Sequence, residues 1–196
     1  ESFIATARQS IADSRVVFGT GDAAKLPWEN DTFDAAVSGL VLNFVPDPRK
    51  MLSEMTRVTR RGGKVAVYVW DYAGGMEMMR HFWDAAIAVS PDDSKLDQAE
   101  RFPICQPEPL EALFTDSGLK AVSSRSIEIP TVFKSFEDYW LPFLGKQGAA
   151  PTYLASVNEE IREKIRARLR ARLLPSADGT IPLRARAWAV QGTVAS

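Results

Sequence analysis

The side chains with the clearest chemical potential are one carboxylate, one imidazole and one thiol, each in a different setting. Asp22 stands in Gly21-Asp22-Ala23, directly after the apolar run Val16-Val17-Phe18 and the turn residues Gly19-Thr20. A carboxylate at the end of such a run either meets a ligand or caps the turn that follows. Ser38-Gly39-Leu40 closes a second apolar run. In open α/β sheets ligands collect outside the carboxyl ends of the strands, so the two tips are expected to face one ligand. His81 is the single histidine and the one candidate catalytic base; its bland alternative is a surface or capping residue. Cys105 is the single cysteine, which excludes an internal disulfide and zinc clusters and leaves no metal site to propose. With no histidine near it in sequence, it reads as a buried thiol. Asp34 opens a strand and Asp47 caps a helix, so both are left outside the site.

These groups sit in a chain of 196 residues, 45% hydrophobic and 25% charged, the composition of one globular domain. The formal net charge of −1 supplies no global field for nucleic acid or an anionic membrane. A small neutral ligand is the expected partner. No apolar run approaches the roughly 20 residues needed to span a bilayer, and the start shows no secretory leader, so a cytoplasmic address is expected.

The elements that must position the candidates follow from periodicity. Phe3, Ile4, Ala7 and Ile11 place an apolar stripe on a helix over 3–12. Arg15 to Thr20 reads as a buried strand, and Phe33 to Leu42 as a central strand covered on both faces. Asp47-Pro48 opens a helix with Met51, Leu52, Met55 and Val58 inward, and Gly62-Gly63 is expected to close it. Lys64 to Trp70 is the next strand, which makes a parallel βαβ unit. Residues 73–103 form an insertion with a helix around Met78 to Val89. A helix over Pro109 to Ser117 and a strand over Lys120 to Ile129 come next. Residues 131–183 carry the aromatics Phe133, Phe136, Tyr139, Trp140 and Phe143 and a charged amphipathic helix from Val157 to Leu174; Arg184 to Val194 is the last strand. The Glu159, Glu160 and Glu163 interleaved with the arginines of that helix favour a solvated packing or lid helix over a membrane-binding one.

Three features recur in a fixed order: Gly21-Asp22-Ala23 with Leu26-Pro27-Trp28, Phe33-Asp34 leading into the second run, and Asp47-Pro48 followed by Gly62-Gly63. Together they resemble the methyltransferase type 11 (UbiE-like) branch of the class I S-adenosylmethionine-dependent methyltransferases, with high specificity over residues 1–72 and only in layout beyond Pro130. The resemblance implies an α/β fold, a Rossmann-like seven-stranded methyltransferase sheet with helical insertions, in one domain over 1–196 whose segments 73–103 and 131–183 act as a substrate lid. It implies S-adenosylmethionine as cofactor. Asp22 would accept from the adenine amino group, the Ala23 N–H would meet a ring nitrogen, and Leu26 and Trp28 would line the adenine slot. Ser38, Gly39 and Leu40 would pass the methionine part, with Asn43 and Phe44 where many relatives carry His or Trp. Of the aromatic cluster, mostly core, Trp83, Tyr139 and Trp140 are the expected substrate walls.

Relatives begin with a strand running into a glycine-rich turn and a second strand ending in a ribose-binding acid. Neither is present here, so the resemblance implies that the N-terminal strands are missing and that the ribose carboxylate lies upstream of Glu1, itself read as the start of a helix. Buried backbone groups left unpaired cost about 1–3 kcal/mol each. A longer chain, or a second copy in a homodimer, is therefore expected to complete the sheet. The expected activity is methyl transfer to a small-molecule acceptor. The competing readings are a dinucleotide-dependent oxidoreductase on a similar sheet and a non-catalytic module without cofactor. No nucleic-acid signature accompanies the basic helix.

Overall fold

The computed structural model describes residues 2–145 and 147–196, so the reading of Glu1 as a helix start lies outside the described residues. Four strands form one sheet in the order β1-β2-β4-β3, with β1 Phe33–Gly39, β2 Thr59–Trp70, β3 Lys120–Phe133 and β4 Ile181–Thr193. The β1–β2 pair is parallel, as its connecting helix requires, and β4 runs antiparallel to both β2 and β3. Among the described residues the sheet thus has four strands.

Helix α1 covers Ser2–Ser10 and α2 covers Pro48–Val58. The start of α2 is fixed by the Asp47 carboxylate, which accepts from the Lys50 N–H at 3.0 Å, and by Pro48 in the first turn. Its predicted stripe of Met51, Leu52, Met55 and Val58 is buried. Met51, Leu52 and Met55 pack with Val65, Val67 and Val69 of β2 and with Leu110 and Phe114 of α5, Pro107–Asp116.

A second apolar core is made by helices. α3 (Glu77–Val89), α6 (Phe136–Trp140), α7 (Ala149–Ser156) and α8 (Glu159–Arg172) bury Phe82, Trp83, Tyr139, Phe143, Leu154, Ile165 and Leu169 together. The short α4, Gln98–Arg101, follows α3 after a 3-10 turn. Phe82 and Phe143 stack at 4.6 Å, and Trp83 meets Phe82 edge to face at 5.4 Å. Burying a side chain such as Ile165 or Leu169 stabilises the α8 docking by about 1.5–3 kcal/mol each. The glutamates of α8 face water and pair with its own cations, as between Arg162 and Glu159 or Lys164 and Glu160.

Three expectations are corrected. Arg15 to Thr20 is not a strand: it has no strand neighbour among the described residues, Val17 is 92% exposed, and without a ladder the chain takes a turn closed by the Val16 N–H on the Asp13 carbonyl. Phe33–Gly39 is an edge strand here, paired with β2 alone, and Val37 is correspondingly exposed. Gly62-Gly63 does not close α2, which ends at Val58. The pair lies inside β2, where the register against β1 slips between Phe33 and Ala35. Gly62 takes φ +73°, and a Cβ on Gly63 would lie 2.7 Å from both the Arg60 and the Asp34 carbonyl oxygens.

Candidate functional site

The first cavity lies between β1, α2 and the loop before β1. It encloses about 410 Å³, within the range of small-molecule pockets, and is lined by Ala23, Leu26 and Trp28 on one side and Ser38, Gly39 and Val41 on the other, with Met51 and Met55 at its base. Asp22 does not end a strand; it makes an isolated bridge with Lys25, and its Oδ1 accepts from the Ala24 N–H at 2.8 Å. The loop it opens nevertheless faces the tip of β1 across one space. Trp28 is half-exposed, its ring set edge-on to Phe33 at 5.2 Å.

Two side chains that sequence reasoning missed hold this loop. Glu54 of α2 accepts from the Leu26 N–H at 2.8 Å, while Arg57 donates to the Leu26 and Trp28 carbonyls and to Asn30. The two bind each other at 2.7 Å. Their i,i+3 spacing was the available signal, but nothing in the sequence pointed that pair at a loop 28 residues earlier. The Arg57 hydrogen bond, followed by the Leu26 N–H, draws the Glu54 carboxyl down to about 2. Glu54→Gln is expected to release the loop and raise amide exchange at Leu26 about tenfold, read by hydrogen–deuterium exchange; unchanged protection would refute the clamp.

The tip of β1 turns sharply into the next segment. Leu40 takes φ +60°, a left-handed conformation that a non-glycine residue adopts at a cost of about 1–3 kcal/mol, and its N–H donates to the Tyr68 carbonyl at 2.8 Å. The short 3-10 turn Leu42–Phe44 follows. Val41, just before it, lines the first cavity, and Phe44, at its end, lines a second. Asn43 between them is 8% exposed, with Nδ2 unpartnered among the described residues, and its side chain lies beside the Tyr72 hydroxyl. Burial and the neighbouring Cys105 hold that hydroxyl above the usual tyrosine value.

The second cavity encloses about 660 Å³ between the end of β2, α3, α4 and α7. Phe44, Tyr72, Trp83, Phe102 and Tyr153 line it together with Arg101, Gln98 and Thr152. Trp83, one of the predicted substrate walls, therefore reaches a pocket, and its indole N–H donates to Gln98 at 3.4 Å. The structure does not bring Tyr139 and Trp140 to it. They are 0% and 5% exposed in the helical core, because a pair of large rings on α6 gains more by packing on Phe136 and Phe143 than by standing in water.

His81 lines neither cavity. It is half-buried on α3, with Nδ1 unpartnered among the described residues. Burial, then the charge of Arg172, holds the imidazole below its ordinary 6.5, with Arg80 acting the same way and Glu77 and Asp84 opposing. Because the folded state binds its proton less well than the unfolded chain, stability is level above about pH 6.5 and falls as pH drops below it, by at most about 1.4 kcal/mol per pH unit for one proton. His81→Gln is expected to remove this limb in urea melts compared at about pH 7.5 and 5.5. Cys105 is buried, and burial with the charge of Asp71 pushes its thiol up to about 12, an inert core residue.

The order of these strands and the crossover helix give a fold shared with solved methyltransferases. A candidate methyltransferase from Bacillus halodurans superposes with TM-score 0.60 at 13% identity, over 100% of this chain and 80% of that one. The YcgJ protein of Bacillus subtilis gives 0.57 at 18% identity, over 98% and 76%. Residues 1–67 match the model of a methyltransferase domain family. Over 68 residues the chain is 43% identical to a demethylmenaquinone methyltransferase of Halalkalibacterium halodurans, which is 33% of this chain and 28% of that protein. A phosphatidylethanolamine N-methyltransferase of Cereibacter sphaeroides is 41% identical over 46 residues, 24% and 23% of the two chains. The chain thus spans less than a third of the length of the curated relatives it matches. No helix among the described residues is long and apolar enough to cross a membrane.

Proposed function

We propose that the protein transfers a methyl group from S-adenosylmethionine to a small-molecule acceptor, with the nucleoside side of the cofactor in the first cavity and the acceptor in the aromatic one. The observation that carries this reading is the turn after β1, which places Val41 in one cavity and Phe44 in the other within three residues. In this reading donor and acceptor meet at the end of that turn, where the two cavities must open to each other for the transfer. Residues of the first cavity suit an adenosine. Ala23, Leu26 and the half-exposed Trp28 offer apolar faces; Asp22 is not in the lining but directly precedes Ala23, and its Oδ2, without a hydrogen bond among the described residues, is the acceptor for an exocyclic amine at the rim.

When bound, the cofactor supplies a methyl group on a sulfonium that is already a good leaving group. The chain's task is then positioning: holding two reactants in near-attack geometry is worth about 7–11 kcal/mol of barrier, and no nucleophilic side chain is needed. The strained Leu40 and the Glu54–Arg57 clamp fix the two walls of the first cavity, so neither has to reorganise on binding. The aromatic walls of the second keep water from the acceptor. His81 has no part in this scheme, since it touches neither space.

Calorimetric titration of S-adenosylhomocysteine into the full-length protein tests the reading. Binding is expected, weakened about tenfold by Asp22→Ala through loss of one charged acceptor. Absence of heat up to about 1 mM ligand would overturn it.

A further inference from the structure

The walls of the aromatic cavity carry information about the charge of what enters it. Phe44 meets Phe102 edge to face at 5.2 Å, Tyr72 inclines on Phe102 at 5.6 Å, and Trp83 inclines on Tyr153 at 5.4 Å. Such rings can receive a flat ligand by stacking or edge contact, but they would also attract an organic cation. The charged groups decide between the two. Arg101 is the one charged residue among the described residues lining the cavity; its guanidinium lies 5.3 Å from the centre of the Phe102 ring, and no carboxylate pairs with it among the described residues. The other polar lining groups are neutral amide and hydroxyl functions. Four carboxylates precede Arg101 closely in sequence and none lines the cavity: Asp92 and Glu100 are exposed, Asp93 accepts from the Tyr153 hydroxyl at 3.0 Å, and Asp97 is paired with Arg80 at 2.6 Å.

We infer that this cavity selects a planar aromatic acceptor bearing an anionic oxygen, a carboxylate or phenolate, against a cationic amine, and that Arg101 is the residue that sets this preference. The inference rests on the proposed role of the cavity as the acceptor site. A guanidinium held against a ring face presents its donor edge outward, the geometry that matches a carboxylate. An ammonium in the same place meets like charge, and no acidic wall offsets it. Because Arg101 is exposed, solvent screens the effect, and the discrimination is a few-fold rather than thousands-fold.

Three probes of one shape separate charge from stacking: 2-naphthoate, 2-naphthalenemethanol and 2-naphthylmethylammonium, titrated into the full-length protein with tryptophan fluorescence as readout. The naphthoate is expected to bind about threefold tighter than the neutral alcohol and about tenfold tighter than the ammonium at low salt. Arg101→Gln should bring the three within about twofold while keeping the alcohol's affinity, and Arg101→Lys should keep part of the preference. Equal binding of the three probes by the unmodified protein, tighter binding of the ammonium, or no binding of any probe up to about 1 mM would each overturn the inference. The S-adenosylhomocysteine titration separates the two claims. Cofactor binding without charge preference sinks only this inference, and charge preference without cofactor binding sinks the transferase reading while the selectivity of the cavity stands.

Discussion

Replacing Asp71 with alanine is expected to lower the unfolding free energy by about 3 kcal/mol, seen as a fall in melting temperature of roughly 9 °C for a chain of this size. Asp71 follows β2 and is 2% exposed. Its Oδ2 binds Arg186 of β4 at 2.6 Å, and its Oδ1 accepts from Gln106 at 3.0 Å and from the Gly74 N–H at 3.1 Å. Burial alone would raise this carboxyl, but Gln106, Arg186 and the Gly74 N–H outweigh it and hold it below the ordinary value. The space is closed on the other side by Gly75, where an added Cβ would lie 2.8 Å from Asp71 Oδ2. Alanine leaves the one-third-exposed Arg186 guanidinium with only Glu128 at 3.7 Å, and takes an acceptor from the half-buried Gln106 amide, a cost that water reaching Arg186 only partly relieves. The sign with pH follows: the stabilisation is fully present above about pH 3.8 and is lost as pH falls through the depressed value, so the variant should lack that acid limb. Chemical denaturation of the variant, and of Asp71→Ala combined with Arg186→Met, checks the cause. The double variant should cost less than the sum of the two single ones, since it leaves no unpaired charge. A loss below about 1 kcal/mol for Asp71→Ala would mean the pair is solvated and does not hold the segment.

The same cluster marks the limit of what the sequence disclosed. Where a pattern depended on near neighbours, it was readable: the Asp47-Pro48 start of α2, its stripe from Met51 to Val58, the alternation of β2 and the parallel β1–β2 pair all follow from local spacing and one connecting helix. The contacts that position the site span long separations. Asp71 and Arg186 are 115 residues apart, and Glu54 reaches back 28 residues to Leu26. Neither partner in these pairs is unusual in its own stretch of sequence. Arg15 to Thr20 failed for the opposite reason: its composition suits a strand, but a strand exists only against a neighbour, and the described residues provide none. Gly62-Gly63 was misplaced because a glycine pair serves a helix end and a strand bulge equally well, and only the register with β1 tells them apart. The loop from Ala23 to Trp28 and the tip at Ser38-Gly39, named together from motif order, line one cavity. The division of Val41 and Phe44 between two cavities was not readable, since it depends on a single turn whose residues carry no pattern.

Tyr139 separates a wall from a core. The sequence places it among the substrate aromatics, whereas in the fold it is fully buried, its hydroxyl donating to the Met78 carbonyl at 2.9 Å and its ring edge-on to Phe133 at 5.3 Å. Burial raises its pKa far above the usual tyrosine value, so it stays a neutral donor at every accessible pH. Tyr139→Ala is expected to cost about 4 kcal/mol in unfolding free energy, as the ring leaves a void between α3, α6 and the end of β3. Tyr139→Phe keeps the ring and loses only the hydrogen bond to Met78, about 1 kcal/mol. If the residue is core, the phenylalanine variant binds the naphthyl probes as the unmodified protein does. A Trp83→Phe change behaves differently, because Trp83 is both core and wall: probe affinity and stability should fall together. A loss of probe binding in Tyr139→Phe without loss of stability would return Tyr139 to the acceptor site and require the helical cap to open around it.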